Sequence, residues 1–153
     1  MSDEVTELFD AVRALFVEKI PFNKLLGTEI EELSFESARI RFGFRDELVG
    51  NYIRGSLHGG VVSATLDLTG GLVAFMGALR DADGRTPEEK MASLANVGTI
   101  DLRVDYLRPG LGAHFLCSGR VLRTGNKVAV IRMELVNDKE SLIAVGTGAY
   151  LVG

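Results

Sequence analysis

From Gly59 to Leu79 the chain is apolar or small at nearly every position, and Asp67 is the only charged residue in the run. A helix that is hydrophobic all round, and not along one stripe, is buried on every side. The rest of the chain must therefore wrap around it. An unpaired carboxylate in such a setting is costly, so Asp67 needs a partner, a proton or a chemical task. Gly59 and Gly60 stand where that helix should begin, and free N–H groups at a helix N-terminus point outward and favour negative charge.

The run is long enough to raise the question of a membrane span. Asp67 near its centre, with Ser63, Thr65, Thr69 and several glycines, makes lipid a poor solvent for it. The expectation is a core helix over 58–80. Upstream, Val5, Leu8, Phe9, Val12, Leu15, Phe16 and Ile20 recur at helical spacing and Pro21 stops the run, which predicts an amphipathic helix over 1–20 lying on a surface. Ala38, Ile40, Phe42 and Phe44 alternate with Arg39, Arg41 and Gly43, the period of a half-buried strand. A weaker strand over 28–35 should pair with it through a turn near Glu36.

Beyond the central run, Thr86-Pro87-Glu88-Glu89 has the form of a capping box with proline at the first helical position, so a short helix is expected there. The remainder, 94–153, reads as strands. Ile100, Leu102, Val104 and Tyr106 alternate with Thr99, Asp101, Arg103 and Asp105, which puts Thr99 on the polar face. Strands over 113–123, 127–136 and 142–152 follow, joined by Gly125-Asn126 and Asn137-Asp138, which is hairpin chemistry and implies antiparallel neighbours. Two strands, one long helix and four strands fill 1–153 as a single α+β domain.

Charge and composition narrow the function. A net charge of −4 lacks the basic patch of a nucleic-acid surface. Cys117 is alone and His58 and His114 are the only histidines, so neither a disulfide framework nor a Cys/His metal centre is expected. The acidic start Met1-Ser2-Asp3-Glu4 lacks the layout of a secretion signal, and a cytoplasmic location is expected.

Gly50-Asn51, Leu57-His58-Gly59-Gly60-Val61, Asp67, the stretch from Gly98 to Pro109 and Gly125-Asn126-Lys127 together resemble the hotdog-fold thioesterases of the phenylacetate-pathway (PaaI-like) group. The resemblance covers nearly the whole domain from Pro21 onward. It implies a long central helix wrapped by an antiparallel sheet of five to six strands, two subunits sharing one continuous sheet, and a homodimer or a homotetramer built as a dimer of dimers. It also implies hydrolysis of acyl-CoA to a free acid and CoA, with no cofactor beyond the coenzyme A of the substrate and no partner in nucleic acid or membrane. In the family pattern the helix aspartate is nucleophile or general base, and the N–H after the histidine polarises the thioester carbonyl. An upstream asparagine and a Ser or Thr on the next strand position the reactants. These roles map onto Asp67, Gly59, Asn51 and Thr99.

Helix geometry adds a constraint of its own. The nine residues from His58 to Asp67 advance roughly 13 Å and turn about half a revolution. If the His58-Gly59 corner and Asp67 act on one thioester, they must come from different subunits.

Each candidate also has a purely structural reading. Asp67 could be a structural carboxylate bonded to Thr99, and Gly59 and Gly60 could serve a sharp turn. His58 could orient Asn51 or cap the helix; Asn51 could be a turn residue, and Thr99 an ordinary strand residue. Gly60, Arg108, Arg123 and Lys127 are expected to contact substrate, the three cations taking the phosphates of CoA unless they are only solvated surface charge. Gly70 and Gly71 leave room for close packing or for an acyl chain. Leu72, Val73, Phe75 and Met76 fit an acyl tunnel or the core. Two other functions suit the same fold: a dehydratase of 3-hydroxyacyl thioesters, which would use His58 with an acid as a proton-transfer pair, and an acyl-CoA sensor that binds without turnover.

Overall fold

The computed structural model describes residues 1–153. Its first element, α1 (Asp3–Ala14), is capped by the Ser2 side chain and buries Leu8 and Val12. The helical path continues through a wide π-turn at Leu15–Lys19. Here the structure departs from the sequence expectation of one helix ended by Pro21. Ile20 is extended, and Pro21 opens a second helix, α2 (Pro21–Leu26), closed by Gly27 in the left-handed region. Proline lacks only an N–H that the first helical residue does not use, so it starts a helix as readily as it stops one.

Strands β1 (Glu29–Leu33) and β2 (Ser37–Gly43) form the expected hairpin. A short antiparallel pair, β3 (Val49–Asn51) and β4 (Ser56–Leu57), leads into the central helix α3 (Gly59–Arg80). After α3 come the capped helix α4 (Pro87–Ala92), with both bonds of its capping box made, and strands β5 (Gly98–Tyr106), β6 (His114–Thr124), β7 (Val128–Asn137) and β8 (Leu142–Leu151). Six strands form one antiparallel sheet in the order β1-β2-β6-β7-β8-β5, curled against α3. This is the hotdog architecture. The lone thiol, Cys117, is fully buried, and burial pushes it up to about 12 against the smaller opposing effect of a Thr69 hydrogen bond. It is an inert part of the core.

Two sequence expectations are corrected by this packing. First, α3 is not buried on every side within one chain. Leu66, Leu72, Val73, Met76 and Leu79 are fully enclosed, but Val61, Ala64, Asp67, Leu68 and Gly71 lie half-buried along one stripe. A sheet curling round one side of a helix leaves such a stripe, and an apolar composition cannot tell it from core. Second, Thr99 does not lie on the polar face. The β5–β8 register slips between Thr99 and Asp101, and one extra residue in a strand turns the following side chains to the other face. Thr99 thereby points at α3, while Ile100 is left 54% exposed.

Of the paired glycines in α3, Gly70 is a steric requirement. A Cβ there would run into the Tyr150 hydroxyl and come within 3.0 Å of Met133 Sδ, and one at Gly148 would meet the same phenol. Alanine ordinarily stabilises a helix interior relative to glycine. Here Gly70→Ala is expected to destabilise by about 1–3 kcal/mol, the usual effect of overpacking, read as a fall in melting temperature. A rise would show that Tyr150 moves aside freely.

Candidate functional site

The sequence candidates gather into two groups at opposite ends of β5. At the Gly98 end, Thr99 Oγ1 donates to Asp67 Oδ1 at 2.9 Å. The phenol of Tyr150, 1% exposed, donates at 3.3 Å to the same carboxylate oxygen and at 3.2 Å to the Asp67 carbonyl. Burial first, and then the Asp67 charge, push that phenol well above its ordinary range, so it stays a hydrogen-bond donor at neutral pH. Two donors thus fix Oδ1, while no group in the chain donates to Oδ2.

This carboxylate lines a cavity of about 300 Å³. Asp67, Thr99, Tyr150 and Asn23 are its polar lining, and Leu15, Phe16, Ile20, Leu68, Phe75, Leu94 and Val97 are apolar. Leu72, Val73 and Met76 are fully buried core residues, and of the four tunnel candidates only Phe75 reaches the cavity. A carboxylate in the wall of a largely apolar pocket suits a substrate with a polar acyl linkage and a greasy tail.

At the Tyr106 end, the start of α3 is held from three sides. His58 is the N-cap, and its Nδ1 accepts the Gly60 N–H at 2.7 Å. Val61 and Val62 donate their N–H groups to the His58 carbonyl. Tyr106 donates its hydroxyl to the Gly59 carbonyl at 2.9 Å. The Gly59 N–H is left with no partner in the chain. Of the two readings of His58, capping is the one seen. The ring lone pair that a general base would need is engaged with Gly60, and so is the Gly60 N–H. Glycine at position 60 follows from that cap, because a Cβ would lie 2.8 Å from the His58 ring, whereas a Cβ at Gly59 would make only an ordinary 3.5 Å contact with Tyr106.

Asn51 ends β3 and opens the turn to β4. Its Oδ1 accepts the Arg54 N–H at 3.2 Å, and its carbonyl accepts the Gly55 N–H. Gly50 allows this turn to press against the His58 backbone, so Asn51 belongs to the His58-Gly59 group. The three cations do not converge. Arg108 donates to the Leu142 carbonyl beyond one end of β5, while Arg123 and Lys127 flank the β6–β7 hairpin near the other. The nine residues of β5 span roughly 26 Å at strand rise, which separates the two sets within one chain.

An unbroken α3 keeps Asp67 roughly 12 Å along the axis from Gly59. In this hotdog fold the Asp67 carboxylate and the His58-Gly59 corner do not meet in one chain. The chain belongs to the thioesterase superfamily, whose family model matches residues 54–144. It is 44% identical to the medium/long-chain acyl-CoA thioesterase YigI of Escherichia coli over 142 residues, covering 93% of this chain and 92% of that protein. A crystal structure from Shewanella oneidensis related to the same superfamily superposes with a TM-score of 0.91 at 42% identity over 100% of both chains. The E. coli PaaI protein of the phenylacetic acid degradation operon shares the fold, with a TM-score of 0.77 at 17% identity over 99% of this chain and 96% of that one.

Proposed function

We propose that this protein hydrolyses medium- to long-chain acyl-CoA thioesters in a site assembled from two subunits. The observation that carries the reading is the placement of two hydrogen bonds at the two ends of β5. Thr99 at one end binds Asp67, and Tyr106 at the other binds Gly59. β5 is an edge of the sheet, exposing Ile100, whereas the other edge, β1, is blunted by Glu29, Glu31 and Glu32 in the way that discourages pairing. Antiparallel pairing of β5 with a second copy would bring the Asp67 end of one subunit beside the Gly59 end of the other. The two-fold symmetry of such a dimer makes two equivalent sites. It would also bring Arg108 of one subunit toward Arg123 and Lys127 of the other, a supply of positive charge for the phosphates of CoA.

In this site the thioester carbonyl accepts the unpartnered Gly59 N–H, reinforced by the start of α3, which stabilises the oxyanion that develops. The free Oδ2 of Asp67 either attacks the carbonyl carbon, forming an anhydride that water then cleaves, or takes a proton from the water that attacks. Both routes break the C–S bond and give CoA thiol and a carboxylic acid. Thr99 and Tyr150 hold Oδ1, so that Oδ2 keeps its aim. Asn51 follows Gly50, which packs on His58, and is assigned to steadying the carbonyl corner. The resemblance to YigI supports the substrate class, and the apolar cavity beside Asp67 suits it.

The test is release of CoA thiol from a series of saturated acyl-CoAs of increasing chain length. Turnover should rise from short to medium chains. Tight acyl-CoA binding without turnover would replace the hydrolase by a sensor.

A further inference from the structure

We infer, building on the thioesterase reading, that Gly71 and Phe16 set the length of acyl chain this protein accepts. Four cavity residues fall on one face of α3: Asp67, Leu68, Gly71 and Phe75. Gly71 lies one turn beyond the carboxylate and Phe75 two turns, at roughly 6 and 12 Å along the axis. At the second position Phe16 meets Phe75 edge to face, with ring centroids 5.6 Å apart. Both rings line the cavity, and the pair is taken as its far wall. An extended chain advances about 1.2 Å per bond, as a backbone does, so roughly ten bonds fit between carboxylate and rings.

Gly71 is the glycine that packing does not explain. Its neighbour Gly70 is excluded from bearing a side chain by Tyr150, but a Cβ at Gly71 would make one ordinary 3.7 Å contact with Tyr150 Cε1. Glycine here weakens the helix, and what its missing side chain provides is space in the cavity. Phe16 is held for its task separately. It sits in the π-turn Leu15–Lys19, a wide turn often found at functional positions. The amide of Asn23, 5% exposed and itself in the cavity wall, donates to the Phe16 carbonyl at 2.9 Å. This wall lies outside the 54–144 stretch matched by the family model, so the shared thioesterase pattern does not specify it.

The experiment compares kcat/KM for decanoyl-CoA and palmitoyl-CoA in the native protein, Phe16→Ala and Gly71→Ala, with melting temperatures alongside. Each buried methylene is worth about fourfold in affinity. Phe16→Ala should raise the palmitoyl-to-decanoyl ratio tenfold or more. Gly71→Ala should move the same ratio the other way, below its native value, while raising the melting temperature by a few degrees. Profiles that keep their shape in both variants would overturn the inference and leave the thioesterase intact. A Gly71→Ala protein that melts lower, or loses its dimer with an unchanged profile, would assign that glycine to packing. A native protein that hydrolyses no acyl-CoA would remove both readings together.

Discussion

Asp67→Asn is expected to lower turnover of acyl-CoA by about a thousandfold, within the range for loss of a positioned acid–base group, with little change in melting temperature. The contrast follows from how the two carboxylate oxygens are used. Oδ1 accepts from Thr99 and Tyr150, and the amide of asparagine keeps an oxygen that can do the same. Oδ2 accepts nothing within the chain, and it is the atom that the substitution turns into an NH₂ group, unable to attack a carbonyl or take a proton. The measurement is CoA thiol release at saturating substrate beside a thermal melt. If turnover persists while the melting temperature falls, Asp67 is a structural carboxylate and the Thr99 bond is its purpose. Single-turnover hydrolysis in heavy-oxygen water then separates the two catalytic roles. Label in the Asp67 carboxylate identifies a nucleophile whose anhydride water opens at the aspartyl carbon; a general base never acquires it.

Gly59→Pro should lower kcat by about 10²–10³, the usual effect of removing one oxyanion donor, again with the fold retained. Proline deletes a single atom of interest here, the unpartnered N–H, and does so at the first helical residue, the position that tolerates it best. His58, which precedes it, already has φ −59° and ψ 136°, the extended conformation that a following proline demands. A Cβ at this position makes an ordinary 3.5 Å contact with Tyr106. Gly59→Ala is the control: it keeps the N–H and should keep most of the activity. Equal losses in the two variants would mean that glycine at 59 is needed for room, and that its N–H is not the donor.

Much of this arrangement is legible in the sequence because strong local rules agree there. The long apolar run, the capping box at Thr86 and the Gly-Asn and Asn-Asp hairpins all form as their residues dictate. Thr99 bonds Asp67, the contact that the structural reading of that carboxylate anticipates, and Asn51 ends β3 at a turn whose Gly50 packs on His58. What escaped is long-range. Tyr150 is 83 residues from Asp67 in a strand whose alternation marks it only as core, and the one hint was a pair of helix glycines in need of a reason. The inward turn of Thr99 depends on a bulge that strand periodicity cannot reveal. The Phe16 wall depends on a π-turn in a segment that reads as continuous amphipathic helix. The half-open stripe of α3 looked like core because an apolar surface and an apolar interior have the same composition.

The central claim is that neither chain of a dimer holds a whole site, and mixing two inactive variants tests it most directly. Asp67→Asn and Gly59→Pro proteins are unfolded together, refolded together and assayed for CoA release. Random pairing makes half the dimers mixed, and each mixed dimer has one site with both groups intact, so about a quarter of native activity should return. A mixture that forms mixed dimers yet stays as inactive as its components would contradict the shared site, and would require Asp67 and the Gly59 N–H to act within one chain.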